Sequence, residues 1–548
     1  MDTLDLFGWQ TVFAVTYPVV NTAIAEAKST PAGFDYTDTD AGLAMSGTWA
    51  TWQVVDGGAG PGLQLQCPVT TGTVTLAGRS TDLSGGVLQI QVDLDLVPDP
   101  EAPVSDPTTS GGMPHHLVVR RVGSATHPAV AVVGTDFANV SGLLADALPA
   151  VFAAWFNEHI AEFNHVFATL VLNGTAAQGD YQWLKPTATG YACANAPDGA
   201  DADSVLGVLC MTDTPAPPAL SHQVDPRLVF QLPEPANSAF AISSRDFLGH
   251  VLAKGAALCI QGASVGDFVV TDDEEWIVNT ADLVWGDFAL DDGTIVSPTI
   301  KAQNFQMGLQ GGKIVTRITD ASFAWPKWKA GTLTVHLNLT QEFGLSLRQT
   351  DAGWLLVPTA GVATKELSAN ITADGNVLTF DILIGIGGAV LGAIVGAVAG
   401  AALQAVADVV TDATTGASIA VSREALDSAA VNLSDVELNE LDQVAAKQGG
   451  EAITAAANDT GFVQKFSAAL QANKWKTFGG AIGALVGAQL GTISRWVQVV
   501  ANGDVENLPT LSAFAANAVG STTWPATTRW EPVSVELPGA FVLTGKLS

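Results

Sequence analysis

The chain has 548 residues, with 23 Lys plus Arg against 54 Asp plus Glu, a formal net charge of −31. That balance excludes a nucleic-acid binder, because holding phosphates takes clustered cations. It also works against adhesion to anionic lipid outside a local basic patch. Charged residues make up only 14% and hydrophobic ones 48%, a composition that excludes global disorder and fits a protein that encloses much apolar surface or meets a membrane.

The chain opens Met1-Asp-Thr-Leu-Asp5, acidic and followed by no long apolar run, so no secretory leader is expected. Residues 40–135 read as β structure. The clearest strand is Val87 to Val97, where Leu88, Ile90, Val92, Leu94 and Leu96 alternate with Gln89, Gln91, Asp93 and Asp95. Period two over this length predicts an antiparallel sheet with one face buried and one wet. Pro98, Pro100, Pro103 and Pro107 then mark a loop.

A helix is expected from Pro149 to Leu170, with Pro149 in its first turn. Its apolar stripe, Val151, Phe152, Trp155, Phe156, Ile160, Phe163, Phe167 and Leu170, advances by threes and fours. At 1.5 Å per residue such a helix is roughly 33 Å long. A long aromatic helix beside long alternating strands points to a sheet wrapped round a helix. Phe152, Trp155, Phe156, Ile160 and Phe163 are then the candidates to line an apolar, lipid-binding groove. The same stripe equally fits a dry core.

Prolines in 213–237 mark a connector, which sets an expected division into modules 1–235 and 236–548. A second β-rich stretch covers about 238–380, best seen where Leu333, Val335, Leu337 and Leu339 alternate with Thr334, His336 and Asn338. Residues 382–500 read as mostly helical, and Val533 to Leu547 as a return to strand. The helical part carries two glycine ladders, Gly388, Gly392, Gly396, Gly400 and Gly479, Gly483, Gly487, Gly491. Every fourth residue falls on one helix face. Glycine costs about 1 kcal/mol against alanine in a helix, so the ladders are expected to serve close helix packing. The uncharged stretch Ile382 to Ala407 is long enough to span a bilayer, but it lacks the flanking cations that fix such spans. A packed soluble hairpin and inducible membrane insertion both stay open. Trp325, Trp328 and Trp475, each within two residues of a lysine, are candidate membrane contacts.

Enzyme chemistry has no foothold in the pattern. There is no GxSxG, HExxH, P-loop or CxxC. Gly385-Ile-Gly-Gly388 only hints at a dinucleotide turn, and Asp272-Asp-Glu-Glu275 lacks EF-hand spacing. His159 and His165 are too far apart round a helix to share an ion, and with His115 and His116 they read as surface or core residues. The expectation is a non-enzyme with no metal and no cofactor. Cys67, Cys193, Cys210 and Cys259 read as small buried hydrophobes, with their disulfide state left open.

Several segments resemble the 47-kilodalton protein family of clostridial botulinum neurotoxin gene clusters, within the tubular lipid-binding (TULIP) superfamily. They are Phe7-Gly-Trp-Gln-Thr-Val-Phe13 with Val20-Asn21, Phe163-Asn-His-Val-Phe-Ala-Thr-Leu170, Trp183-Leu-Lys-Pro-Thr187 with Tyr191-Ala192, and Phe240-Ala-Ile-Ser243 with Phe247-Leu248. The match is dense to about residue 250 and thinner after it. The resemblance implies an α+β fold of two modules, in which long, curved antiparallel sheets wrap long helices. It implies no catalytic residues. Its functional implication is a lipid- or membrane-interacting protein of bacterial toxin-accessory type. The acidic opening without an apolar run sets the expected location as the bacterial cytoplasm, with any release by a non-classical route. The possible partners are a lipid or acyl ligand, proteins of a toxin complex, or a membrane surface. A lipid-free scaffold and a pore-former inserting the ladder helices are the alternative readings.

Overall fold

The computed structural model describes residues 3–39, 42–99, 114–124, 126–171, 182–212, 220–260 and 522–548, most of 262–383, and a short strand at 418–421. The chain divides into two compact units. One is built from Asp2–Ser243 with Leu511–Glu536 and Ala540–Ser548, the other from Ser244–Thr510 with Leu537–Gly539.

The first unit opens with strand β1 (Thr11–Thr16), helix α1 (Tyr17–Ala27), and strands β2 (Gly33–Asp38), β3 (Leu43–Trp49), β4 (Gln53–Ala59) and β5 (Gly62–Leu76). There follow β6 (Arg79–Asp82), β7 (Val87–Val92), β8 (Leu94–Pro98), β9 (Pro114–Val119), β10 (Val130–Asp136), α2 (Leu143–His159), β11 (Val166–Val171), β12 (Ala188–Ala194), β13 (Val205–Met211) and β14 (Ser238–Ile242). Every pairing among these strands is antiparallel.

The expected strand over 87–97 is present as β7 and β8, with Leu88, Ile90, Val92 and Leu94 buried. The alternation does what period two requires. The wet side carries Asp93 and Asp95, which grip Arg120 at 2.7 and 3.0 Å. Strand β5 pairs with β7 over Leu63–Pro68 and with β3 over Val69–Leu76, and also with β4 and β6. The β3–β5 register shifts between Thr48 and Trp49, a bulge of the kind that bends a sheet.

A second sheet of this unit runs β12, β13, β1, β14, then Phe541–Leu547 and Trp530–Glu536. Strands β1 and β13 are buried along their whole length, so both faces are covered. One face holds a cluster of Val12, Ala14, Leu209, Val224, Ala241 and Val542. On the other, Phe13 meets Phe240 at 6.3 Å and Trp524 at 5.7 Å. The expected return to strand at 533–547 is therefore real. Its place differs from the expected division at 235/236, since Phe541–Leu547 pairs with β14 inside the first unit.

Helix α2 departs from the sequence reading at both ends. It begins at Leu143, leaving Pro149 in its interior, and α-helix stops at His159. One 3-10 turn follows, and Val166–Val171 is strand, paired with β9. The run Val166-Phe-Ala-Thr-Leu-Val171 is rich in β-branched residues, which fit a pleated surface. The spacing of Phe163, Phe167 and Leu170 mimicked a helical stripe only by coincidence.

The second unit begins with helical turns over Ser244–Cys259, a stretch expected to be strand. Its sheet runs Phe268–Val270, Trp276–Asn279, Phe305–Gln310, Lys313–Trp328, Gly331–Thr350, Glu366–Ala373, Asn376–Leu383 and Ser418–Val421. The expected strand around Leu333–Leu339 belongs to Gly331–Thr350, the longest of the set. Asn376–Leu383 is strand, and Gly385-Ile-Gly-Gly388 lies outside the described residues. Of the region read as helical, 418–421 is strand. The glycine ladders and Trp475 lie outside the described residues.

Candidate functional site: an aromatic core between helix and sheet

The groove candidates converge on one place. Helix α2 offers Leu148, Phe152, Trp155 and Phe156 as its buried side, spaced by four, three and one as one helix face demands. Asn157 fixes the helix against β10. Its Nδ2 donates to the Val130 carbonyl at 2.8 Å, and its Oδ1 accepts from the Val130 amide at 3.1 Å. Opposite stand rings from the sheet. Phe34 of β2 meets Phe152 at 5.3 Å, and Trp49 of β3 stacks on Phe156 at 5.6 Å and meets Trp155 at 5.5 Å. Trp52 contacts Phe156 at 5.5 Å and Phe163 at 4.9 Å, and Phe137 stacks on Phe152 at 6.0 Å.

These separations are those of rings in direct contact. Phe152, Trp155, Phe156, Ile160 and Phe163 are each at most 2% exposed, and the rings of four of them, all but Ile160, contact other rings of the cluster. Glycine makes room for this. A Cβ on Gly47 would sit 2.5 Å from the Phe34 ring and one on Gly72 at 3.1 Å. Gly47 and Gly72 face each other across β3 and β5, leaving a notch that the Phe34 ring fills.

The polar groups at the margin are few. His159 stacks on Trp155 at 5.0 Å and pairs with Glu162 at 2.8 Å. His165 is buried between Phe163 and Phe167, and its Nδ1 lies 3.0 Å from Ser29 Oγ. Burial pulls its pKa down to about 4. The indole N–H groups of Trp49 and Trp52 and the Nε2 of His165 have no hydrogen-bond partner. His116 lies 3.4 Å from Asp99. Among the described residues, no three His, Cys, Asp or Glu side chains form a set that could hold a metal ion. Cys67, Cys193 and Cys210 are free, buried thiols. Burial pushes Cys193 and Cys210 up to about 12, so both stay protonated and unreactive at neutral pH.

Sequence reasoning found the helix side of this core and missed the sheet side, Phe34, Trp49, Trp52 and Phe137. The alternation of β3 marks Leu43, Met45 and Trp49 as facing inward, but it does not say which helix they meet. The membrane candidates fall elsewhere. Trp325 and Trp328 lie on the strand Lys313–Trp328, with Trp325 in register with Leu333 and Trp328 with Gly331, next to the hairpin turn. The neighbouring strand Glu366–Ala373 pairs with residues 334–340 only. The end of the hairpin therefore runs past it. No described helix is long and apolar enough to cross a membrane, which leaves crossing by strands open.

Comparison with known proteins fits this architecture. Residues 6–465 match the family model described as OrfX-like: Protein OrfX2/OrfX3/P47. The chain belongs to the OrfX-like family. It is 28% identical over 288 residues to Protein OrfX3 of Paraclostridium bifermentans, covering 48% of this chain and 56% of that protein. It is 27% identical over 275 residues to Protein OrfX3 of Clostridium botulinum (strain Kyoto / Type A2), covering 46% and 54%. The aligned part thus spans about half the length of these curated relatives. The structures of P47 from C. botulinum A2 and E1 superpose with TM-scores of 0.55 and 0.56 at 14% identity. Each comparison covers 99% of this chain, with 98% of the A2 protein and 100% of the E1 protein. The shared feature is the fold: α+β, largely antiparallel curved sheet with few helices, as the resemblance implied.

Proposed function

We propose that this OrfX-like chain is a non-enzymatic toxin-accessory protein that works by docking on a partner protein through its surface. The observation that carries this reading is the state of the aromatic core. The residues best suited to line an acyl groove, Phe152, Trp155, Phe156, Ile160 and Phe163, are buried, and the rings among them contact rings of the protein itself. A ligand there would have to displace aromatic contacts worth ~0.5–1.5 kcal/mol per pair beyond their buried area. Cys193 and Cys210 are held protonated by burial, and the Ser29–His165 contact is itself buried. The strong acidic charge favours a partner with a basic face, since complementary charge steers and orients association.

The test is purification without detergent, then native mass spectrometry and lipid extraction. The expected result is a lipid-free chain that forms a discrete complex with proteins encoded beside its own gene, weakened by raised salt. A stoichiometric acyl ligand that Ile160→Asp abolishes would replace docking by lipid carriage.

A second reading has one observation behind it. The hairpin end carrying Trp325-Pro-Lys-Trp328 extends past its neighbouring strand, and tryptophan beside lysine is the composition of a membrane-interface anchor. Flotation with liposomes that is lost in Trp325→Ser/Trp328→Ser would establish it. No flotation of the parent chain would remove it.

A further inference from the structure

The turn that follows α1 closes one end of the aromatic core with two side-chain hydrogen bonds. Ser29 Oγ lies 3.0 Å from His165 Nδ1, and Thr30 Oγ1 accepts from the Trp52 amide at 3.0 Å. Both partner residues belong to the core: Trp52 is fully buried and His165 is 2% exposed. Lys28, the C-cap of α1, takes a left-handed conformation at φ 50° and turns the chain towards this contact. The titratable member of this closure is one imidazole, held among rings, with a hydroxyl on one nitrogen and no partner on the other.

We propose that the Ser29–His165 contact is an acid-sensitive latch, and that protonation of His165 releases the turn after α1 and opens the aromatic core beneath it. The neutral ring satisfies its Nδ1 with Ser29. A protonated ring carries N–H donors on both nitrogens. Its second donor is then buried without an acceptor, as the Trp49 and Trp52 N–H groups already are. Charge and an unmet donor are both costly there. Among the described residues, no neighbouring acid relieves them. Glu26 and Lys28 near the end of α1, and Glu158 of α2, are exposed. Glu162 is taken by His159, and His116 of β9 by Asp99. Strand β11 itself contributes no acid or base other than His165 in its approach. Burial alone acts on the imidazole and lowers its pKa, so protonation and opening are coupled. This latch is independent of whether the partner is protein or membrane.

Hydrogen–deuterium exchange of the full chain between pH 7 and 4, corrected for the intrinsic pH dependence of exchange, tests it. Binding of an apolar dye is the second readout. The expected result is a reversible rise in exchange confined to residues 28–34 and 163–171, with dye binding, as pH falls from about 6.5 to about 4. His165→Phe keeps the ring but cannot titrate, and it should move the midpoint by more than one pH unit towards acid or abolish it. Ser29→Ala should leave the pH dependence in place with faster exchange at pH 7. Should His165→Phe fold poorly, NMR titration of the wild-type imidazole decides. A His165 that titrates near 6.5 in the closed protein overturns the proposal, as does an unchanged midpoint in His165→Phe.

Discussion

The two units spend their apolar residues differently. In the first, side chains from α2 and from β2 and β3 meet ring on ring, with Trp49 touching Phe34, Trp52, Phe152, Trp155 and Phe156. Among the described residues of the second, long ladders dominate. Lys313–Trp328 pairs with Gly331–Thr350, and the described core beside that hairpin sets Ile277, Met307, Ile314 and Ile318 beside Phe305, which meets Phe268 at 5.4 Å. Its loops are held by buried hydrogen bonds instead. Asn279 is fully buried and donates to the Ala281 carbonyl at 2.7 Å and the Lys301 carbonyl at 2.8 Å, and it accepts from the Phe305 amide at 2.9 Å. Shape complementarity of rings fixes one core, and polar satisfaction fixes the crossing of strands in the other.

The largest effect should come from breaking the ring packing. Phe156→Ala is expected to cost ~3–5 kcal/mol, because it removes a fully buried ring whose neighbours cannot all collapse. Denaturant unfolding measures it, and an unchanged midpoint would remove α2 from the core. Next comes acid. His165 has a folded pKa of about 4 against 6.5 for the free side chain. Between those values the unfolded chain binds the proton and the folded one does not. Stability is thus fully present above pH 6.5 and falls as pH drops towards 4, by about 3 kcal/mol at 1.36 kcal/mol per unit. His165→Phe should flatten that part of the stability–pH curve, and wild-type stability that stays level from pH 7 to 4 would contradict it.

In the second unit, Asn279→Ala leaves the Phe305 amide and two carbonyls without their partner. The expected loss is about 2–3 kcal/mol. If it equals the loss from Phe156→Ala, the contrast between the two cores is weaker than the contacts imply. The smallest expected effect concerns the glycine ladders. Gly396→Leu and Gly487→Leu should each cost ~1–3 kcal/mol if the ladders form closely packed helices, as their spacing predicts. Stabilisation of both would show helices facing solvent, where leucine is simply the better helix former.

The sequence made the β character of 40–135, the inward face of β7 and β8 and the buried side of α2 legible, because each is a local periodicity. It misplaced the end of α2, where Phe163, Phe167 and Leu170 satisfy a helical spacing while Val166–Val171 lies in a strand. It missed α1, whose apolar residues Tyr17, Val20, Ala23 and Ile24 follow directly on an all-buried strand with no polar break. Ser244–Cys259 was hidden by apolar strands on either side. Half of the aromatic core was legible, the helical half. The other half depends on which sheet residues meet the helix, and Trp49 and Phe156 lie more than a hundred residues apart. The pairing of β14 with Phe541–Leu547 is equally non-local.

That last pairing has a consequence for synthesis. Strand β14, all five residues of it buried, ends at Ile242, and the strand that covers its free side begins at Phe541. Translation proceeds at roughly 5–20 residues per second. The ribosome therefore takes on the order of 15–60 s to make the intervening chain. For that time a nascent sheet carries an open, apolar edge of the kind that recruits foreign strands. Expression at low temperature, or with a chaperone that holds nascent chains, should raise the soluble yield of this protein more than it would for one whose strands pair in the order they are made.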